Sequence, residues 1–138
     1  MITEILDEIK KKYPEPYHRG KAFEKICKYY LENHPYYSKE FSEIWMWDEW
    51  PDRKTQDIGI DLVGRSTQGS YTAIQSKFYN NTIPSDEIDK FIAAGSDEKF
   101  SSLILFGTSD ITKNSLYKFQ NNIKRSIIID KHDLEQSP

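Results

Sequence analysis

DIGIDLVG at residues 57–64, the polar turn RSTQGS at 65–70 and YTAIQSKFY at 71–79 decide the fold. In the first string Ile58, Ile60 and Leu62 recur at period two, with Asp57, Gly59 and Asp61 between them. That is the spacing of a strand over Asp57–Val63 with one apolar and one polar side. Tyr71–Tyr79 alternates in the same way, with Ile74 and Phe78 on one face and Gln75 and Lys77 on the other. Two alternating runs around a short turn containing Gly69 predict a β-hairpin. With the turn centred on Thr67–Gln68, Asp61 lies opposite position 74 or 75. Opposed residues project to one face, so the second register sets Asp61 beside Gln75, with Lys77 one step along.

Upstream, Thr3–Lys12 places Ile5, Leu6 and Ile9 on one helical face, with Thr3 as its cap; Pro14 and Pro16 end that helix. A second helix over Arg19–Asn33 carries Phe23, Ile26, Cys27, Tyr30 and Leu31, and Pro35 stops it. Phe41–Trp47 reads as a strand leading into a loop at Pro51 and Asp52. Downstream, Ser85 caps a predicted helix over Asp86–Ala94 with Ile88, Phe91 and Ile92 inward. Leu103–Phe106 is a short, continuously apolar run, as a buried central strand requires. Thr112 caps a helix with Leu116, Phe119 and Ile123 inward, Ser126–Ile129 is a last buried strand, and the tail from Lys131 is polar. The expected fold class is α/β: a mixed β-sheet flanked by helices, in the order ααβββαβαβ.

At 138 residues, with nineteen Phe, Tyr and Trp side chains, the chain is expected to form one domain with an aromatic-rich core and no disulfide or metal staple. Its single cysteine, Cys27, excludes an internal disulfide framework and a multi-cysteine zinc site, and its place on an apolar stripe suits packing. No apolar run approaches the roughly 18 residues that span a bilayer, and no export signal follows Met1, so the expectation is a cytoplasmic protein without a membrane partner. Nineteen basic against 22 acidic residues leave a net charge of −3. Such a chain is expected to bind duplex DNA only weakly by itself, although it can act on DNA that other domains deliver.

The chemistry concentrates in the hairpin. Asp61, Gln75 and Lys77 bring an acid, an amide and an ammonium to one patch, which suits metal-assisted phosphodiester hydrolysis. A hard divalent cation takes oxygen ligands, and Asp61 with the Gln75 side-chain carbonyl supplies two. Lys77 can orient the attacking water or neutralise charge in the transition state. Glu24, at the margin of the second helical stripe, is placed to reach the cation or its waters. A single acid or lysine in a strand is more often an ordinary ion pair than a catalyst; hairpin context and shared face are what single out this set.

These residues carry a resemblance. DIGIDLVG, the turn and YTAIQSKFY resemble the Mrr-like branch of the PD-(D/E)xK nucleases, in which Gln often replaces the second acid. The likeness extends upstream to RGKAFE at 19–24 and onward through WMWDEWP at 45–51 to LILFGTSDITKNS at 103–115. The chain is similar to the N-terminal nuclease domains of Type ISP restriction–modification enzymes. The resemblance implies a restriction-endonuclease-like fold and a Mg²⁺-dependent deoxyribonuclease, with Mn²⁺ able to substitute. It assigns Asp61 as the metal-binding acid, Gln75 as the second motif position, Lys77 as the catalytic lysine and Glu24 as the helix glutamate. The main-chain carbonyl of Ser76 becomes a further metal ligand and Asp57 an additional candidate. Residues 1–138 then form a single nuclease domain excised from a larger polypeptide that also holds a helicase-like motor, a methyltransferase and a target-recognition region, with DNA as substrate. The ending just after the last predicted strand agrees with that expectation. The alternatives are a catalytically degenerate docking module of the same fold and a stand-alone repair or resolvase-type nuclease.

The remaining motifs read as structural. His18, His34 and His132 have no ligand spacing and suit surface or capping roles. Trp45 and Trp47 alternate as core residues do, while Trp50, in the loop, is the best aromatic candidate for a contact with DNA bases.

Overall fold

The computed structural model describes residues 2–53, 59–78 and 81–136. Helices α1 (Ile2–Lys12), α2 (Pro16–Asn33) and the single turn α3 (Tyr37–Glu40) lead into strand β1 (Phe41–Met46). After a 3₁₀ turn at Trp47–Glu49 come β2 (Leu62–Ser66), β3 (Tyr71–Lys77), α4 (Ser85–Gly95), β4 (Phe100–Gly107), α5 (Lys113–Gln120), β5 (Arg125–Ile129) and α6 (Lys131–Glu135). The expected order is present, with α3 and α6 added. The five strands lie in sequence order, β1-β2-β3-β4-β5; the first two pairings are antiparallel and the last two parallel.

Each face of the sheet buries one apolar cluster. On one side Leu62, Ile74, Ile104 and Phe106 pack against Phe23, Cys27 and Leu31 of α2 and Leu6 and Ile9 of α1. On the other, Val63, Ala73, Leu103 and Leu105 meet Ile88 and Phe91 of α4 and Phe119 of α5. Two helical layers over one sheet follow from the sequence, because β3 and β4 alternate apolar residues to both faces.

Several boundaries differ from the expectation for local reasons. Helix α2 begins three residues early, at Pro16, because proline is tolerated in the first helical turn, where its missing N–H is not needed. Thr3 lies inside α1, and Ser85 is the first residue of α4, whose N-cap position is taken by Pro84, with no side-chain cap bond. Thr112 caps α5 as expected, its hydroxyl accepting from Ser115 N at 3.1 Å. That helix ends at Gln120, so Ile123 is not inward but 94 % exposed. The polar tail folds into α6: Asp130 and Asp133 close a reciprocal capping box, and Leu134 is buried against the α1 and α2 side. Strand β5 is an edge strand, so only Ile129 of its isoleucines is fully buried.

The hairpin turn is centred on Thr67–Gln68: Gly69, at φ +91°, donates its N–H to Ser66 O (3.0 Å), and Ser66 N donates to Ser70 O (2.8 Å). The register pairs Leu62 with Ile74 and Arg65 with Tyr71. The described part of the expected first strand differs, however: β2 starts at Leu62 and runs on to Ser66, and residues 59–61 lie before it. Asp61 N also donates to Ile74 O (2.9 Å), so Asp61 and Leu62 together oppose one residue, as in a β-bulge. Alternation breaks there. Ile60 packs into the α4-side cluster while Leu62 packs into the α2-side one, so the two do not share the face their spacing suggests. Gly59 enters this kink at φ +95°, a left-handed conformation that side chains disfavour. Ile58 and Asp57 lie outside the described residues.

Candidate active site

The sheet ends in a cleft of about 710 Å³ between the N-terminal half of α2, the kink at Gly59–Asp61, the end of β3 and the first turns of α4. Glu24, Asp61, Gln75, Ser76 and Lys77 all line it. The structure therefore gathers in one place the described residues singled out from the sequence; Asp57 lies outside the described residues.

How they come together differs from simple face-sharing. Along β3, residues 74 and 76 turn their peptide groups toward β2: Ile74 O accepts from Asp61 N, and Ser76 N donates to Asp61 Oδ2 at 2.9 Å. Lys77 turns toward β4, its carbonyl accepting from Thr108 N at 3.2 Å. The Ser76 carbonyl thus falls on the Asp61 side of the strand. Ser76 Oγ also donates to Asp61 Oδ2, at 3.3 Å, so the carboxylate leans toward the α2 side of the hairpin. The Lys77 side chain goes the other way and meets Glu87 of α4, Nζ to Oε2, at 2.9 Å. Acid and ammonium line one cleft although they leave opposite faces, because the cleft takes in residues of both α2 and α4 at the end of the sheet. The bulge displaces Asp61 from the regular alternation that predicted a single face.

Glu24 is a buried carboxylate, 8 % exposed, on the inner stripe of α2. It accepts from Lys21 Nζ at 3.4 Å. Burial pulls the Lys21 ammonium down, but the neighbouring Glu24 charge and hydrogen bond outweigh it and leave Lys21 raised above its ordinary value. Cys27, one turn along α2, is fully buried, and burial pushes its thiol well up, with the charges of Asp61 and Glu24 adding to the effect. Both carboxylates therefore act electrostatically on the same thiol from the cleft side. Gln75 is buried at 4 % exposure. With its amide oxygen toward the ammonium it accepts from Lys77 Nζ at 2.8 Å, and its nitrogen donates to the Gly59 carbonyl.

Trp50, expected at a surface, is only 2 % exposed. The 3₁₀ turn after β1 folds it onto Trp47, Tyr71 and Phe100, with ring centroids 5.4–5.6 Å apart, so it belongs to the core. His34 takes the structural role its isolation suggests, accepting from Tyr36 N at 3.0 Å just beyond α2.

The Mrr_cat_2 family model, for restriction endonucleases, matches residues 32–138. The chain belongs to the restriction endonuclease family. Among solved structures it is similar to the ATP-dependent Type ISP restriction–modification enzyme LlaBIII bound to DNA, with TM-score 0.80 and 29 % identity over 96 % of this chain and 8 % of that one. It is also similar in fold to the MspJI restriction endonuclease in complex with a 27-mer oligonucleotide, with TM-score 0.61 and 16 % identity over 95 % of this chain and 29 % of that one. The chain thus spans a small part of either protein. No curated protein matches it.

In this restriction-endonuclease nuclease domain the described residues that line the cleft include four basic side chains, Lys21, Arg53, Lys77 and Lys90, and four acidic ones, Glu24, Asp48, Asp61 and Glu87. The hairpin pattern exposes only Asp61 and Lys77 of these. Glu87 had a signal: it stands four residues before Phe91, on the margin of the inward stripe of α4. Lys21, Asp48, Arg53 and Lys90 had none, since charges on exposed helix faces and loops follow no readable period.

Proposed function

We propose that this domain is a metal-dependent DNA endonuclease, the cleavage module of an ATP-dependent single-polypeptide restriction–modification enzyme. The observation that carries the reading is the convergence of Glu24, Asp61, Ser76 and Lys77 on one cleft at the end of the sheet. Its likeness to LlaBIII over 96 % of the chain supports the larger assembly, with DNA brought by other domains of the same polypeptide. The net charge of −3 agrees with that division of labour.

The donor set fits a hard cation. Among the described residues no three His, Cys, Asp or Glu side chains cluster as a protein-only metal cage. Mg²⁺ does not need one, because it keeps several waters and takes one or two carboxylates together with substrate phosphate oxygens. Asp61 and the Ser76 carbonyl would hold the cation, the Gln75 amide oxygen, which accepts from Lys77 Nζ, would offer its second lone pair, and Glu24 would hold the cation's waters. When bound, Mg²⁺ or Mn²⁺ would supply Lewis acidity there.

The chain's own residues do the rest. The Ser76 N–H and hydroxyl, both donating to Oδ2, fix the Asp61 carboxylate. Lys77 aims its ammonium at the water and at the phosphoryl oxygens, where negative charge grows in the transition state. Water oxygen bonds to phosphorus and gives up one proton to solvent, the bond from phosphorus to the leaving oxygen breaks, and that oxygen takes up one proton from solvent. The products are a phosphate monoester and a hydroxyl.

The test is Mg²⁺-dependent nicking of duplex DNA by the protein and by Asp61→Ala and Lys77→Ala, with folding followed by circular dichroism. Both variants should lose cleavage, and Lys77→Ala should keep its cation. Gln75→Glu adds a negative ligand and should hold the cation as well or better. If both alanine variants cut at the unmodified rate, the cleft is not the active site and the docking-module reading replaces this one.

A further inference from the structure

Lys77 is not a loose cation on the cleft wall. Its side chain is 14 % exposed and its ion pair with Glu87 measures 2.9 Å. The other lysine–carboxylate pairs among the described residues, Lys21–Glu24, Lys28–Glu49 and Lys118–Asp89, are longer, at 3.4–3.6 Å. In each of those pairs the lysine side chain is also more exposed, at 28–47 %. Glu87 stands in the first turn of α4, beside Ile88 and one turn from Phe91, both fully buried. Its carboxylate is therefore carried by a helix packed against the sheet, not by a loop.

We propose that Glu87 is a positioning residue of the cleavage site, which holds the Lys77 ammonium in place and offsets its charge so that a divalent cation can bind beside it. The inference rests on the nuclease reading of the cleft and adds to it a residue outside the Asp61–Gln75–Lys77 set. Two physical needs point to Glu87. A lysine side chain has four rotatable bonds, and an ammonium that must meet one water or phosphate oxygen gains from being held. Glu87 on one side and the Gln75 amide oxygen on the other, at 2.9 and 2.8 Å, fix two of its three N–H groups and direct the third into the cleft. The second need is electrostatic. An ammonium near a cation site repels the cation, and in a partly dry cleft that repulsion is poorly screened. Glu87 cancels it, and among the described residues the charges lining the cleft then stand at four of each sign.

The test uses Mn²⁺ as the probe, with binding to the whole chain followed by calorimetry and cleavage of duplex DNA measured in parallel. Glu87→Gln keeps shape and removes charge. It should weaken Mn²⁺ binding and cleavage about 10–100-fold, the usual cost of losing a partner behind a metal site. Glu87→Asp should recover most of both. The decisive variant is Glu87→Gln combined with Lys77→Ala: with the ammonium gone the counter-charge is no longer needed, so Mn²⁺ affinity should return to that of the unsubstituted chain. A merely structural role for Glu87 would not be rescued in that way. Mn²⁺ should also broaden the ¹H–¹⁵N signal of the Lys77 ammonium in the unsubstituted chain. Unchanged Mn²⁺ affinity in Glu87→Gln, or no recovery in the double variant, overturns the proposal for Glu87 alone. An Asp61→Ala variant that binds Mn²⁺ like the unsubstituted chain, or no binding by that chain, overturns the metal reading of the cleft itself.

Discussion

Asp61 joins the fold and the proposed chemistry through the same carboxylate, and two substitutions separate the contributions. Asp61→Ala deletes the acceptor of Ser76 N at 2.9 Å and Ser76 Oγ at 3.3 Å. A hydrogen bond to a charged group contributes about 1.5–3 kcal/mol. Ser76 is only 9 % exposed, so water replaces the lost partner poorly. Counting the shorter Ser76 N bond alone, since the hydroxyl can rotate to another acceptor, and with each kcal/mol moving the midpoint of thermal unfolding by roughly 4 °C for a chain of this size, the expected fall is about 6–12 °C. Asp61→Asn keeps an oxygen facing Ser76 N and loses only the charge-assisted part, so its fall should be about half as large. Cleavage should disappear in both, because an amide cannot replace the anionic ligand. Scanning calorimetry of the two variants beside a Mg²⁺-dependent nicking assay makes the comparison. Equal destabilisation by Asn and Ala would refute the hydrogen-bond argument. Cleavage by Asp61→Asn at the unmodified rate would refute the ligand argument.

Cys27 and Tyr30 predict a loss of stability at alkaline pH. Burial, with Asp61 and Glu24 adding to it, keeps the Cys27 thiol neutral in the folded state, while the unfolded thiol ionises near pH 8.5. Stability should be intact below that pH and fall above it by up to about 1.4 kcal/mol per unit. Burial also pushes the Tyr30 hydroxyl up to about 12, which adds a second loss above pH 10. Denaturant titrations between pH 7 and 10.5 should show the first slope, and Cys27→Ala should remove it. Packing gives a contrast between two glycines. A Cβ at Gly95 would collide with Leu103 Cδ2, so Gly95→Ala should cost about 1–3 kcal/mol. Nothing stands within 4 Å of a Cβ at Gly20, so Gly20→Ala in α2 should stabilise by about 0.5–1 kcal/mol, read from the same denaturation curves.

The hairpin, its turn at Thr67–Gln68, the central strand at Leu103–Phe106 and the cap at Thr112 were all legible in the sequence, because each is written in a local code of spacing or turn chemistry. So was the grouping of Asp61, Gln75, Lys77 and Glu24, which line one cleft. Local codes assume a regular lattice, however. The kink at Gly59–Asp61 adds one residue to one strand, which sends Ile60 and Leu62 to opposite clusters and tips Asp61 toward α2. A period of two cannot reveal that step, since it is defined only against Ile74 on the partner strand. Trp50 has the sequence context of a loop and the burial of a core residue, because Tyr71 and Phe100 arrive from other strands to cover it. Glu87 meets Lys77 across a helix-to-sheet packing contact that neither residue's neighbours encode. Sequence alone determined the strands and longer helices, though not the short α3 and α6, and the chemical groups they carry. Tertiary structure decided which of those groups face one another, because that depends on where the sheet ends and on how α2 and α4 close over it.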